Sequence, residues 1–111
     1  MATATFVHDG KSIDYTPVLA VDAGDVIVQD EMVGVAKLDI AAGALGALAV
    51  SGVFDFPKAT GSSSAIVAGD NCYWDATNEV ATTTASTHKL IGKAVAAAAD
   101  DDATVRILMN Q

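Results

Sequence analysis

The side chains that could carry catalysis are few and stand apart along the chain. The histidines, His8 and His88, both lie in polar, turn-like surroundings, whereas zinc sites use His or Cys pairs at short spacing. The single cysteine, Cys72, excludes an intramolecular disulfide, and no basic residue in the ten positions before it would lower its thiol pKa. We therefore expect surface histidines, a buried small cysteine, and no metal site.

The glycine-rich and acidic segments also lack the patterns that bind phosphates or cations. The sequence has neither a P-loop nor a G-x-S-x-G nucleophile elbow, and Gly43-Ala-Leu-Gly46 lacks the lysine that would hold a phosphate. Asp100-Asp-Asp102 lacks the alternation of a calcium loop, so we interpret it as a solvated turn. The sequence predicts no enzyme and no cofactor.

The charge balance excludes further classes of partner. The 111 residues carry a formal net charge of −8. Duplex nucleic acid and anionic membranes both require clustered Lys and Arg, so neither is an expected partner. The start of the chain lacks a signal peptide, and no run reaches the roughly 20 apolar residues that span a bilayer.

Short runs rich in β-branched and aromatic residues, separated by Gly and Asp, predict strands. The runs are 18–21, 26–29, 33–38, 48–56, 71–75, 79–84, 90–95 and 104–109. The predicted fold class is therefore all-β, a small β-barrel or sandwich. The alanine-rich stretch 94–99 favours a hairpin that turns at 100–102, with a short helix as the alternative.

The chain also repeats itself. Ala23-Gly-Asp25 recurs as Ala68-Gly-Asp70, and Gly34 recurs as Gly92, with residues 77–89 as an enlarged hairpin in the second copy. We interpret residues 16–111 as one β domain built from two related β units, 18–57 and 66–110. Residues 1–15, which lack a core periodicity, are predicted to form an extended N-terminal arm.

The aromatic residues alternate in the manner of half-buried strands. Phe54 and Phe56 point to one face, which we assign to the core. In the pair Tyr73-Trp74 one ring should face inward and the other outward, and an exposed ring would anchor an interface.

An ordered set of short motifs resembles one family over nearly the whole chain, from about Phe6 to Leu108. The motifs are Ile13-Asp-Tyr-Thr-Pro17, Ala23-Gly-Asp-Val26, Val33-Gly-Val-Ala36, Asp39-Ile-Ala-Ala-Gly43, Gly46-Ala-Leu-Ala-Val-Ser-Gly-Val-Phe-Asp-Phe-Pro-Lys58, Gly69-Asp70, Tyr73-Trp-Asp75, Leu90-Ile-Gly92 and Val105-Arg-Ile-Leu108. The sequence resembles the capsid cement, or decoration, proteins of tailed bacteriophages and prophages. Members of this family are sometimes labelled recombinase-like, which the missing phosphate loop argues against.

The resemblance implies a non-enzymatic virion protein that is made in the host bacterial cytoplasm. Such a protein binds the outer surface of the assembled shell and reinforces it. Its implied partners are the phage major capsid protein and further copies of itself, with a homotrimer as one expected form. A tail-associated virion protein and a carbohydrate-binding β module are the alternatives.

Three segments are expected to contact the shell: the arm, the loop 58–66 and the enlarged hairpin 77–89. The arm could add a strand to the edge of a neighbouring sheet. Both loops could equally be solvated surface. The candidate interface residues are Phe6, Val7, Ile13, Tyr15, Lys58, Tyr73, Trp74 and His88.

Overall fold

The chain folds into strands, as its β-branched runs predict. The computed structural model describes residues 3–7 and 9–110, which contain nine strands and no helix. The strands are β1 (Ser12–Tyr15), β2 (Val26–Gln29), β3 (Met32–Ala36), β4 (Gly46–Ala49), β5 (Gly52–Pro57), β6 (Asn71–Asp75), β7 (Val80–Thr82), β8 (Lys89–Ala94) and β9 (Thr104–Met109). The predicted all-β class is confirmed.

Two antiparallel sheets pack as a compact sandwich. One sheet has the strand order β1-β4-β3-β2 and the other has the order β5-β9-β8-β6-β7. The alanine-rich stretch 94–99 is not a helix: β8 and β9 pair from Gly92 opposite Met109 to Ala94 opposite Ile107. The predicted strand 18–21 is wrong, because only Val21 joins a bridge there, to Ile40.

The two sheets share one plan. With β7 set aside, β5, β9, β8 and β6 follow one another as β1, β4, β3 and β2 do. The sequence repeat placed residues 52–57 in the first β unit, but β5 lies in the second sheet, so each β unit corresponds to one sheet together with its loops. The bridge from Val21 to Ile40 has its counterpart in a bridge from Ile66 to Ala98. Within described residues, the segment 76–88 that separates β6 from β8 and contains β7 therefore has no counterpart in the first sheet.

The ladders also show how the two sheets align. Ala36 lies opposite Leu48 in the first sheet, and Ala94 lies opposite Ile107 in the second. Leu48 thus corresponds to Ile107, one position away from Arg106, which the sequence offset between Gly34 and Gly92 would give. This register equates two fully buried aliphatic side chains, whereas Arg106 is exposed.

Three tight turns are each closed by an aspartate side chain in the same way. In each turn a carboxylate accepts a hydrogen bond from the backbone N–H three residues earlier, and its own N–H donates back to that residue's carbonyl. The carboxylate bonds run from the N–H of Asp22 to Asp25 (3.0 Å), of Val67 to Asp70 (2.9 Å) and of Ala99 to Asp102 (2.8 Å). The expectation of a turn at 100–102 is confirmed.

The core is divided between two clusters. The larger cluster draws buried side chains from both sheets and so lies between them; among its members are Val33, Val35, Phe56, Trp74, Ile91 and Ile107. The smaller cluster is built only from the first sheet and its flanking loops, with Val21, Ala36, Ile40 and Leu48 buried. Ile13 and Tyr15 pack against the smaller cluster.

Glycine allows the strands to approach closely at two corresponding positions. A Cβ on Gly92 would lie 2.0 Å from the carbonyl oxygen of Leu108, and one on Gly34 would lie 2.9 Å from the Cβ of Leu48. The repeated glycine of the two β units is therefore a packing requirement in each sheet.

The predicted N-terminal arm is divided in the structure. Its last residues, Ser12–Tyr15, form β1 and pair with β4, whereas residues 3–7 are exposed and lie outside any strand. Met1, Ala2 and His8 of the predicted arm and Gln111 at the end of the domain lie outside the described residues.

Candidate functional site

The structure separates the candidate interface residues into exposed and covered positions. Phe6 and Val7 are 79% and 81% exposed, so both offer apolar surface to a partner. Ile13 and Tyr15 are half-buried because they pack on the smaller core cluster. Their principal contacts are thus within the fold.

Lys58 is buried, with 3% of its surface exposed. Its Nζ donates to the carbonyl oxygens of Ala59 (2.7 Å) and Asp100 (2.9 Å) and lies 3.5 Å from the Ser64 hydroxyl. The Asp100 carboxylate in turn accepts from the backbone N–H groups of Ser64 and Ala65. Lys58 therefore fastens the loop 58–66 to the turn after residue 98, and it offers almost no surface to a partner.

The residues of β6 alternate as the sequence predicts. Cys72 is fully buried, Trp74 is 5% exposed and Tyr73 between them is half-buried. Burial raises the pKa of the Cys72 thiol, which suits a core residue and not a nucleophile. Of the two neighbouring rings, Tyr73 is the one with surface to offer.

His88 lies near the turn that follows β6. Its Nε2 is 3.9 Å from an Asp75 carboxylate oxygen, and a quarter of its side chain is exposed. Hydrogen bonds from the side chain and backbone of Asn78 lower the pKa of Asp75, assisted by His88 and by the backbone N–H of Thr77. This arrangement holds the β6–β7 turn together.

Asp75→Asn is expected to lower the Tm at pH 7 and to have less effect in acid. A carboxyl whose folded-state pKa is lowered stabilises the protein above its ordinary pKa of about 3.9, and that stabilisation is lost as the pH falls through the folded-state value. Thermal unfolding of both proteins between neutral pH and pH 2 measures this, and the Tm difference should shrink below about pH 4. A difference that stays constant with pH would contradict the assignment.

Four large aliphatic side chains are exposed on neighbouring loops of the first β unit. Val18, Leu19, Leu38 and Leu45 are 91%, 78%, 77% and 71% exposed, and we name them the loop surface. Two backbone contacts hold the loops side by side, from the N–H of Gly43 to the carbonyl of Pro17 (2.8 Å) and through the Val21–Ile40 bridge.

A groove of about 310 Å³ adjoins this surface. Leu38 and Leu45 line it, together with Ile40 and a set of alanines, namely Ala41, Ala44, Ala47 and Ala49. Lys37 and Asp39 are its only charged lining residues. The loop surface thus combines protruding leucines with an apolar groove, which is the form of a protein interaction site.

The corresponding loops of the second β unit are different. The offsets of the two bridges make Val18, Leu19 and Leu38 equivalent to Ser63, Ser64 and Ala96, and the ladder register makes Leu45 equivalent to Thr104. The second unit therefore presents small or polar residues where the first presents large aliphatic ones. Sequence reasoning missed this surface because 18–21 and 33–38 were assigned to strands, whose apolar residues are expected to be buried.

We find no metal-binding cluster among the described residues. No group of three or more His, Cys, Asp or Glu side chains among them is placed to hold a metal ion. The ion pair between Arg106 and Asp55, with its bonds of 2.9 and 3.2 Å, lies on the exposed face of the second sheet. No helix in this part of the chain is long and apolar enough to cross a membrane.

Comparison with known proteins identifies the family of the chain. No curated protein matches it and no solved structure matches it. The family model described as phage cement protein matches residues 7–109, which covers nearly the whole chain and includes both sheets and the loop surface. The chain therefore belongs to the phage cement protein family, whose role is structural and whose place is the phage capsid.

Proposed function

We propose that the protein binds the outer surface of the assembled phage capsid, contacts the major capsid protein through the loop surface and stabilises the shell. The observation that carries the proposal is the exposure of Val18, Leu19, Leu38 and Leu45 in adjoining loops of one β unit only. Large exposed aliphatic groups on adjacent loops mark surfaces that other proteins cover. Membership of the cement family supports the capsid as the partner.

Weak contacts suffice for this role. A capsid displays many identical sites, and each bound subunit adds buried area at a junction of the shell. Neighbouring cement subunits that touch one another, as in a homotrimer, would add avidity without a stronger individual contact. Binding only to the assembled shell also stabilises that shell by mass action.

The exposed arm residues supply a second contact in this proposal. Phe6 and Val7 precede β1, which is an edge strand that pairs only with β4. An extended segment that carries two exposed apolar side chains can pair with a sheet edge of the shell or of a neighbouring subunit. Tyr73 and His88, on the second sheet and its hairpin, remain further candidates for contact.

The double variant Leu38→Asp/Leu45→Asp is expected to weaken capsid binding by roughly 100-fold or more, because burying each leucine contributes about 1.5–3 kcal/mol and a charge cannot replace it. The measurement is saturable co-sedimentation with matching capsids that lack the protein, together with the heat resistance of the coated shells.

A matched control comes from the second β unit. Ala96→Asp/Thr104→Asp adds the same charges at the equivalent exposed positions and should bind as the unsubstituted protein does. Equal loss in both variants would point to a general charge effect and reject the loop surface. Failure of the unsubstituted protein to bind shells would reject the capsid-binding proposal itself.

A further inference from the structure

A second cleft lies between the two sheets, away from the loop surface. It has a volume of about 440 Å³ and draws its lining from both sheets. Gly24, Asp25, Val26 and Ile27 come from the first sheet and its preceding turn, whereas Pro57, Trp74 and Glu79 come from the second sheet and its hairpin. The cleft is therefore a feature of the folded sandwich and not of either unit alone.

Trp74 lines this cleft, and its indole N–H has no hydrogen-bond partner among the described residues. Trp74 is 95% buried. Yet no fully buried side-chain nitrogen or oxygen in the described part of the chain lacks a partner. The Nε1–H therefore has some contact with solvent, and Trp74 lines the cleft.

Two carboxylates from different sheets complete the lining. Asp25 accepts a hydrogen bond from the backbone N–H of Asp22 through one oxygen, and Glu79 is exposed in the β6–β7 turn. Neither forms an ion pair among the described residues, and the cleft lining contains no Lys or Arg. In a chain with a net charge of −8, this leaves two carboxylates without a neutralising partner.

We propose that the cleft binds a basic side chain, Arg or Lys, on an extended segment of a partner protein. The carboxylates of Asp25 and Glu79 would pair with its cationic group, and the Trp74 Nε1–H would donate to a backbone carbonyl of the same segment. A sugar fits less well, because sugars stack on aromatic faces and Trp74 exposes only 5% of its surface. The inference concerns a surface that the proposed capsid contact does not use.

The cleft carries its own reporter, since Trp74 is the only tryptophan in the chain. We expect N-acetyl-arginine methylamide to change the fluorescence of the isolated protein saturably, and added salt to weaken the effect. The neutral analogue N-acetyl-citrulline methylamide keeps the carbonyl and the shape but lacks the charge, so it should give no saturable change. An equal response to both compounds would overturn the proposal, and so would a response to methyl glucoside alone.

Conservative variants test the two carboxylates. Asp25→Asn and Glu79→Gln should each weaken arginine-analogue binding by roughly 2- to 5-fold, which is the range of a partly exposed ion pair. Asp101→Asn removes an exposed carboxylate outside the cleft and should leave the affinity unchanged. Unchanged affinity in the Asp25→Asn/Glu79→Gln double variant would reject the site. No capsid is present in these titrations, so a negative result would reject the cleft proposal without bearing on the capsid-binding proposal.

Discussion

Gly92→Ala is expected to lower the free energy of unfolding by about 3 kcal/mol or more, which is at the upper end of overpacking effects. Gly92 lies at the centre of β8, opposite Cys72 on one side and Met109 on the other. An added Cβ would lie 2.0 Å from the carbonyl oxygen of Leu108 and 2.8 Å from the backbone nitrogen of Asn110. These atoms belong to the backbone of the neighbouring strand, so they cannot move aside without breaking the ladder.

Gly34→Ala is the matched comparison, because Gly34 holds the equivalent place in β3. Its added Cβ would meet the side chain of Leu48, at 2.9 Å from Cβ and 3.1 Å from Cδ1, and side chains shift more easily than backbone. The expected loss is therefore smaller, about 1–2 kcal/mol. Gly10→Ala, with no atom within 4 Å of the added group, should be neutral. Denaturant unfolding ranks the three, and a Gly92→Ala protein as stable as Gly10→Ala would contradict this account.

Phe56→Ala should destabilise the protein by about 3–5 kcal/mol, as expected for a buried phenylalanine in a core that cannot collapse around the cavity. Phe56 is 1% exposed and belongs to the cluster between the sheets. Its ring makes an edge contact with Phe54, with centroids 6.4 Å apart, and a tilted contact with Trp74 at 6.0 Å. The substitution removes all of these contacts together.

Val53→Ala provides the control for this core variant. Val53 lies on the same strand but points to the opposite face and is 55% exposed, so its truncation should cost less than about 1 kcal/mol. Urea unfolding gives the free energy of unfolding of both variants. It can be monitored by the fluorescence of Trp74, whose ring contacts that of Phe56. Similar losses for Val53→Ala and Phe56→Ala would show that the cluster between the sheets is not the principal core.

Local patterns predicted those parts of the fold that local physics determines. Alternation along a strand predicted that Phe56 faces the core and that one ring of Tyr73-Trp74 faces inward, because successive side chains point to opposite faces. The repeated Gly-Asp turns marked chain reversals, since the Asp side chain closes each turn within four residues. The aspartates at 100–102 likewise indicated a turn after the alanine-rich stretch 94–99, so a hairpin between β8 and β9 was favoured over a helix.

Features that depend on distant partners could not be predicted in this way. Lys58 was expected at the surface, but it is buried, and its ammonium group donates to the carbonyl oxygen of Asp100, 42 residues away. Val18 and Leu19 are exposed because no other part of the described fold covers them. A run of apolar residues in the sequence does not show whether another strand will pack against it. The Trp74 cleft is likewise formed only when the two sheets come together.

The difference between the loops of the two β units determines the valence of the molecule. A protein built from two similar units that both carried a binding surface on their loops would be bivalent. Such a protein would cross-link the particles that it coats, and they would precipitate. Here the loop positions of the second unit are occupied by Ser63, Ser64, Ala96 and Thr104. In the proposed loop-surface contact the molecule is thus monovalent, and the equivalent loop positions of the second unit would present small and polar groups to a neighbouring particle, which would favour dispersed particles.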